Sequence, residues 1–108
     1  MYSRNVSFSL KSNMQSDYAR IFGEQILPLL CKQIGFKEEI TLANPGSLDV
    51  VAISLWGNKA DAEAYNTDTY PEVLKTLANV MDGTPKIQTF EVVTSTSYNG
   101  PVAALTFL

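Results

Sequence analysis

The chain has 108 residues, of which 45% are hydrophobic and 18% are charged. This length and composition are typical of one globular domain, and they exclude a disordered chain. Eight basic and eleven acidic residues give a formal net charge of -3, which argues against nucleic-acid binding through a basic face. The chain has no histidine, so the commonest general base and the commonest metal ligand are both missing.

The cysteine content and the hydropathy pattern indicate where the protein works. Cys31 is the only cysteine, so no internal disulfide can form and a reducing compartment fits. We expect its side chain to be a small buried hydrophobe. No apolar run reaches the roughly 18 residues of a membrane helix, and the first residues have no apolar signal-peptide core. We therefore expect a cytoplasmic protein that does not enter a membrane.

The first quarter of the chain predicts a strand followed by a long helix. Residues 4–11 alternate between apolar and polar side chains, which is the period of a strand. Ser12 and Asn13 then offer helix caps. Apolar residues recur every three or four positions from about 14 to 34, which predicts an amphipathic helix.

A proline lies inside this predicted helix. Pro28 has no N–H to donate, and its ring crowds the carbonyl of Glu24. We expect a kink there, or two helices that meet near Leu27. Gly35 is a typical residue for the end of the helix.

The middle of the chain predicts a β-hairpin. Residues 36–43 and 48–56 are the two strands, and the sequence Asn-Pro-Gly-Ser between them is a turn. Strict alternation would place Phe36, Glu38, Ile40 and Leu42 on one side of the first of these strands. We interpret the adjacent pair of glutamates at 38–39 as a solvated face of the hairpin.

The rest of the chain predicts two helices, a strand and an apolar tail. Asn58 can cap a short helix over 59–66, and Pro71 suits the first turn of a second helix that runs to about Met81. The predicted features that follow are a break at 82–85, a β-rich strand at 86–96, a turn at 98–101 and an apolar segment at 102–108.

The order is therefore strand, helix, strand, strand, helix, strand. This order predicts an α+β fold, a ferredoxin-like βαββαβ sandwich in which a four-stranded antiparallel sheet carries both helices on one face. We expect one domain over residues 1–108, with an apolar C-terminal tail at 99–108.

Both faces of the third strand are apolar. Val51, Ile53 and Leu55 alternate with Val50, Ala52, Ser54 and Trp56. Helices can cover only one face, and a sheet face in contact with water should be more polar. We therefore expect a homodimer in which two sheets pack face to face. The tail either docks on the second subunit, closes a sheet edge or packs on its own subunit.

Four short pieces of the sequence resemble one known family. Ile-Leu-Pro-Leu-Leu at 26–30, followed by Gln-Ile-Gly-Phe at 33–36, is similar to that family's first helix and second strand. Ile-Ser-Leu-Trp at 53–56 resembles the strand that ends in tryptophan, and 60–70 resembles the helix and loop after it. The closing strand is the fourth piece, and together the pieces resemble the antibiotic-biosynthesis monooxygenase-like family of dimeric α/β-barrel proteins. The resemblance implies the fold more firmly than it implies an activity.

The chain departs from that family at three positions. Many members carry a histidine in the second helix and another just after it, and these positions fall at Tyr65 and Tyr70. The haem-degrading branch uses a histidine as its iron ligand, and this position falls near Lys75. A lysine ammonium is a poor iron ligand, so haem degradation by the family's route is not expected.

Polar and aromatic side chains at the ends of the predicted elements are the candidate site. Tyrosine hydroxyls can orient or protonate an oxyanion, so Tyr65 and Tyr70 are the catalytic candidates. The candidate ligand-binding residues are Trp56, Asn5, Asn66 and Arg4. Asn5 could hold a ligand carbonyl and Arg4 could neutralise an enolate. Each of these residues also has a plain structural interpretation as a packing or surface side chain. We expect no metal and no cofactor.

Three functions compete. The first is a cofactor-independent monooxygenase that acts on a small aromatic or quinone-type substrate, although no strong base is evident. The second is a non-catalytic module that binds a small hydrophobic molecule, and the third is a structural dimer without a ligand. An RNA-recognition domain has the same order of elements, but the third strand has no lysine or arginine. We exclude that function.

Overall fold

Strands and helices follow one another in a computed structural model that describes residues 1–96 and the short strand Tyr98–Asn99. The first half contains β1 (Tyr2–Leu10), α1 (Gln15–Ile21), a π-helical segment (Phe22–Ile26), α2 (Leu27–Cys31) and β2 (Phe36–Ala43). The second half contains β3 (Asp49–Trp56), α3 (Lys59–Asp68), α4 (Tyr70–Leu77), β4 (Met81–Glu91), β5 (Thr94–Ser95) and β6 (Tyr98–Asn99).

Four of the strands form one antiparallel sheet in the order β2-β3-β1-β4. This is the predicted α+β, ferredoxin-like arrangement, which is confirmed. The core lies between one face of the sheet and the helices. Its buried residues are Val6, Phe8, Leu10, Tyr18, Ile26, Leu30, Val50, Trp56, Ala62, Tyr65, Tyr70, Val73, Leu77, Val80 and Met81.

The predicted break in the first helix is confirmed, but the predicted caps are wrong. The helix widens into the π-helical segment immediately before Leu27, and Pro28 lies in the first turn of α2. Proline has no N–H to donate, and at the start of α2, after the change of winding, no helical hydrogen bond is required from it. Asn13 adopts a left-handed conformation with φ of 64°, and Met14 precedes α1 without a side-chain cap.

A β-bulge in β2 changes which side chains face the helices. Phe36 pairs with Trp56, whereas Glu38 pairs with the next residue, Leu55, so Lys37 is the extra residue. The insertion reverses the alternation at this point. Phe36 therefore faces the helices while Glu38 faces away, and the prediction that they share a side is wrong.

The fourth strand starts earlier than predicted. It begins at Met81, because the segment 82–85, which was predicted to be a break, is part of the strand. The preceding helix, α4, ends at Leu77 and not at about Met81 as predicted. The register with β1 shifts here, and Gly83 has φ of 77°, so the glycine accommodates an irregularity inside the strand. The strand ends at Glu91, before the predicted 96.

The C-terminal segment is only partly described. Thr94–Ser95 pairs with Tyr98–Asn99 in a small antiparallel hairpin, so the turn predicted at 98–101 begins as a strand. Residues 100–108, which make up most of the predicted tail at 99–108, lie outside the described residues. The cap predicted for α3 is confirmed, since the Asn58 side chain accepts a hydrogen bond from the Asp61 N–H at 2.9 Å. This helix extends to Asp68, two residues beyond the predicted end.

Gly35 lies in the turn between α2 and β2, close to Asp61 of α3, and replacing it with alanine should destabilise the fold. Gly35 has φ of 81°, and an added Cβ would lie 2.6 Å from Cγ and 2.7 Å from Cβ of Asp61. We expect Gly35→Ala to lower the free energy of unfolding by about 2–4 kcal/mol. Gly23→Ala is the matched control, because nothing lies within 4 Å of its added Cβ. Urea unfolding checks both, and equal stability of the two variants would contradict the prediction.

Candidate functional site

A polar row crosses the sheet beneath the helices. Ser54 pairs with Arg4 on one side and with Glu39 on the other, and Arg4 also pairs with Thr89. Residues directly opposite one another on adjacent strands point to the same face. The row therefore brings a positive and a negative side chain, with a serine between them, to the face that packs against the helices.

Arg4 is the buried cation of this row, with only 3% of its surface exposed. Its Nη2 donates a hydrogen bond to the Asn66 Oδ1 at 2.7 Å. No carboxylate within residues 1–96 forms an ion pair with it. Burial lowers the pKa of Arg4 from its usual value, yet a guanidinium stays charged at neutral pH. The site thus has a buried positive charge whose partners in the described residues are neutral.

Two tyrosine rings hold this cation in place. The Arg4 Cζ lies 4.0 Å from the ring centroid of Tyr70 and 5.2 Å from that of Tyr65. Both distances are within the range of a cation–π interaction. Tyr65 comes from the buried face of α3, and Tyr70 is the first residue of α4, where Pro71 fixes the turn. The sequence prediction named Arg4, Tyr65, Asn66 and Tyr70 separately, and the fold brings them together.

The tyrosine hydroxyls keep their protons at neutral pH. Burial raises the pKa of Tyr65 to about 12, although the charge of Arg4 opposes the rise. Burial also raises the pKa of Tyr70, again against the charge of Arg4. The Tyr70 hydroxyl lies close to the Arg4 guanidinium, which can only donate. Among the described residues it has no partner at hydrogen-bonding geometry. It is therefore free to donate to a bound group, and an oxyanion beside Arg4 is the group it would suit best.

Trp56 supports the site from behind and does not face it. The residue is fully buried, and its Nε1 donates a hydrogen bond to the Ser54 Oγ at 2.9 Å. Its ring lies 5.0 Å from that of Tyr65 and 5.6 Å from that of Phe36, between centroids. The indole N–H already donates to Ser54, so it is not available to a ligand. The contribution of Trp56 is the packing of its ring against Tyr65.

Asn5 and Cys31 do not join the cluster. Asn5 follows Arg4 along β1, so it points to the opposite face of the sheet, where it pairs with Ile53 and Gln88. The structure therefore places Asn5 and Arg4 on opposite faces of the sheet and not in one site. Cys31 is exposed at the end of α2, so the prediction of a buried side chain is wrong.

A small cavity lies over the polar row. Its volume is about 40 Å³, which is room for two or three water molecules. The lining is mainly apolar, and its polar members are Arg4, Tyr18, Glu39, Ser54, Tyr65 and Tyr70. Phe22, from the π-helical segment, and Leu74, from α4, are half-buried lining residues. A ring-sized ligand therefore requires these side chains to move.

Glu39 is a charged lining residue that sequence reasoning missed, as it missed Tyr18 and Ser54. The prediction treated residues 38–39 as a solvated face, but the bulge at Lys37 turns Glu39 towards the helices, opposite Ser54. The Thr41 hydroxyl donates to its carboxylate. Burial raises the pKa of Glu39, and the Thr41 hydrogen bond opposes the rise. No glycine or proline marks the bulge, so alternation alone could not have found this residue.

An open groove lies on the other side of Arg4. It has a volume of about 300 Å³, which is the lower end of the range for ligand pockets. The groove lies between α3 and β4, and its lining is Tyr2, Arg4, Ala62, Glu63, Asn66, Ile87 and Thr89. Arg4 thus lines both this groove and the internal cavity, and its partner Asn66 lines the groove.

Within the described part of the chain, no three residues with carboxylate or thiol side chains lie close enough to hold a metal ion. No helix among the described residues is long and apolar enough to cross a bilayer.

Comparison with known proteins identifies the fold. No family model matches the chain, and no curated protein sequence matches it. A solved structure from Nitrosomonas europaea, whose name assigns it to the antibiotic biosynthesis monooxygenases, is 18% identical with a TM-score of 0.72 and covers 87% of this chain and 100% of its own.

Two structures from Streptomyces are equally similar. The cofactor-independent oxygenase SnoaB from Streptomyces nogalater is 12% identical, with a TM-score of 0.73 and coverage of 90% of this chain and 97% of its own. A monooxygenase from Streptomyces coelicolor in complex with nanaomycin D is 14% identical, with a TM-score of 0.73 and coverage of 87% and 88%. The chain has the fold of the antibiotic-biosynthesis monooxygenase-like proteins, as the resemblance in its sequence indicated.

Proposed function

We propose that the chain is a cofactor-independent monooxygenase that acts on a small hydroxyaromatic or anthrone-type substrate. The observation that carries this proposal is the buried Arg4, which lies against Tyr65 and Tyr70 and forms no ion pair within residues 1–96. A buried cation without a carboxylate partner is costly unless an anion joins it. The enolate oxygen of an anthrone is such an anion.

The proposed reaction needs no external reductant. The methylene carbon of the substrate becomes a carbonyl, and the balance is R₂CH₂ + O₂ → R₂CO + H₂O. The substrate supplies all the electrons that reduce oxygen. Arg4 and the Tyr70 hydroxyl stabilise the enolate oxygen, and the apolar lining of the cavity packs against the rings.

Substrate binding requires the cavity to open. Phe22 and Leu74 are only half-buried, and Phe22 begins the π-helical segment, a kind of helix that is frequent at functional sites. We propose that these two side chains move when the substrate enters. The monooxygenase solved with nanaomycin D supports the binding of a small ligand in this fold.

We propose that the protein works as a homodimer in the cytoplasm. The face of the sheet opposite the helices carries exposed apolar side chains, among them Leu42 at 52% and Phe90 at 51% exposure. Ile53 and Leu55 lie on the same face between them. A second copy of the chain, packed by the same face, would remove these side chains from water. The exposed Cys31 thiol suits a reducing compartment.

Oxygen uptake with anthrone tests the proposed activity. We expect the protein to accelerate oxygen consumption and to form anthraquinone. Tyr70→Phe should slow turnover by about 100-fold, because it removes a free donor to the enolate oxygen. Tyr65→Phe and Trp56→Phe should also slow it, and Cys31→Ser is the control that should not. An oxygen electrode and product chromatography measure both quantities. Binding of anthrone without turnover would contradict the enzyme and favour the non-catalytic binding module.

A further inference from the structure

Glu39 is the only carboxylate among the described residues that line the cavity. It lies two strands from Arg4 in the same polar row, with Ser54 between them. Adjacent strands are about 4.8 Å apart, so the two backbones are roughly 10 Å apart. The two side chains do not form an ion pair. The cavity floor therefore carries separated opposite charges that can contact two sides of one ring.

We propose that Glu39 is the general base that removes a proton from the carbon of the substrate that is oxidised. This inference rests on the proposed function and names the base that the sequence did not reveal. The carboxylate takes the proton from the methylene carbon, and the electron pair of that C–H bond forms the enolate. The negative charge moves to the substrate oxygen beside Arg4. The proton is returned when oxygen is reduced to water.

The surroundings of Glu39 suit this role. The titratable groups that line the cavity with it are Tyr18 from α1, Arg4 from β1, Tyr65 from α3 and Tyr70 from α4. Arg4 is the charged group among these at neutral pH. No second carboxylate of the described residues lines the cavity, so none of them competes for the proton. Burial raises the pKa of Glu39, which makes it a stronger base than a surface glutamate.

Tyr18 lines the same cavity as Glu39. Burial raises the pKa of Tyr18, and the charge of Glu39 adds to the rise. The hydroxyl is buried with no partner at hydrogen-bonding geometry among the described residues, although Thr41 lies near it. The Tyr18 hydroxyl can therefore donate to a polar group of a ligand bound in the cavity.

The test compares two neighbouring glutamates. Glu39→Gln removes the base with almost no change of shape, and Glu38→Gln is the matched control, because Glu38 is exposed on the opposite face of the sheet. The first readout is exchange of the methylene hydrogens of anthrone for deuterium in D₂O without oxygen, followed by mass spectrometry. The second readout is oxygen uptake in air across a range of pH.

We expect the wild-type protein and Glu38→Gln to accelerate the exchange. Glu39→Gln should reduce the acceleration by at least about 100-fold, with little change in KM for anthrone. In wild type the rate should rise with pH around a pKa above the usual range of glutamate, and this limb should be absent in Glu39→Gln. Glu39→Asp should retain part of the rate.

The outcomes separate the base from the activity. If Glu39→Gln exchanges protons and consumes oxygen as wild type does, Glu39 is not the base, while the proposed activity stands. Exchange that depends on Glu39 without oxygen uptake would support the base and overturn the oxygenase. A wild-type protein that accelerates neither reaction would overturn both proposals.

Discussion

Replacing Arg4 with methionine is expected to reduce turnover of anthrone by about 100- to 1,000-fold, which is the usual cost of losing a group that stabilises an oxyanion. Methionine is similar in length and apolar, so it fills much of the same space between the sheet and the rings of Tyr65 and Tyr70. The Asn66 side chain, which loses its partner, is exposed and can hydrogen-bond water. Stability should therefore change little, and the loss should be one of kcat.

Steady-state oxygen uptake and a thermal melt together test this expectation. Arg20→Met is the matched control, because Arg20 is an exposed arginine of α1 that pairs with Asp17 and Glu24 outside the cavity. Arg4→Lys should give an intermediate rate, since lysine keeps the charge but loses the planar fork. If Arg4→Met turns over within threefold of wild type while remaining folded, the buried cation has no part in the reaction.

Periodicity predicted most of the fold. The patterns of apolar residues in 4–11 and 14–34 are clear signals. In each of these elements one face packs against the core and the other faces away from it, so the residue types on the two faces differ. Pro28 marked the change of winding for a chemical reason, its missing N–H. The irregularities in the strands were harder to predict. The extra residue at Lys37 and the shift near Gly83 are seen only in the pairing with the neighbouring strands.

The site shows the same limit. Tyr65, Asn66 and Tyr70 are close in the sequence, and their residue types made them candidates for ligand contact without any structure. Arg4 and Asn5 looked equivalent at the start of a strand, but one step along β1 separates the two faces of the sheet. Glu39 faces the cavity because of the bulge in β2. The candidate base could therefore be identified only once the register of β2 against β3 was known.

Placing a charge on the outer face of the sheet is expected to convert a dimer into a monomer. Ile53 lies on β3 and pairs with Asn5 and Ile40, on the face away from the helices. In a symmetric dimer, Ile53→Asp would bury one carboxylate from each copy. An unpaired buried charge costs about 3 kcal/mol or more, which is over a hundredfold in Kd. The mass should fall from twice 11.9 kDa to 11.9 kDa.

Native mass spectrometry at micromolar concentration makes this measurement and also shows any bound ligand. Ile34→Asp is the control, because Ile34 is 84% exposed and follows α2, outside the sheet. Leu42→Lys, on the same face of the edge strand β2, should repeat the effect if Ile53→Asp fails to fold. A monomeric wild-type protein would contradict the dimer directly. The apolar face would then need another cover, and residues 100–108, which lie outside the described part of the chain, would be the first segment to test by truncation.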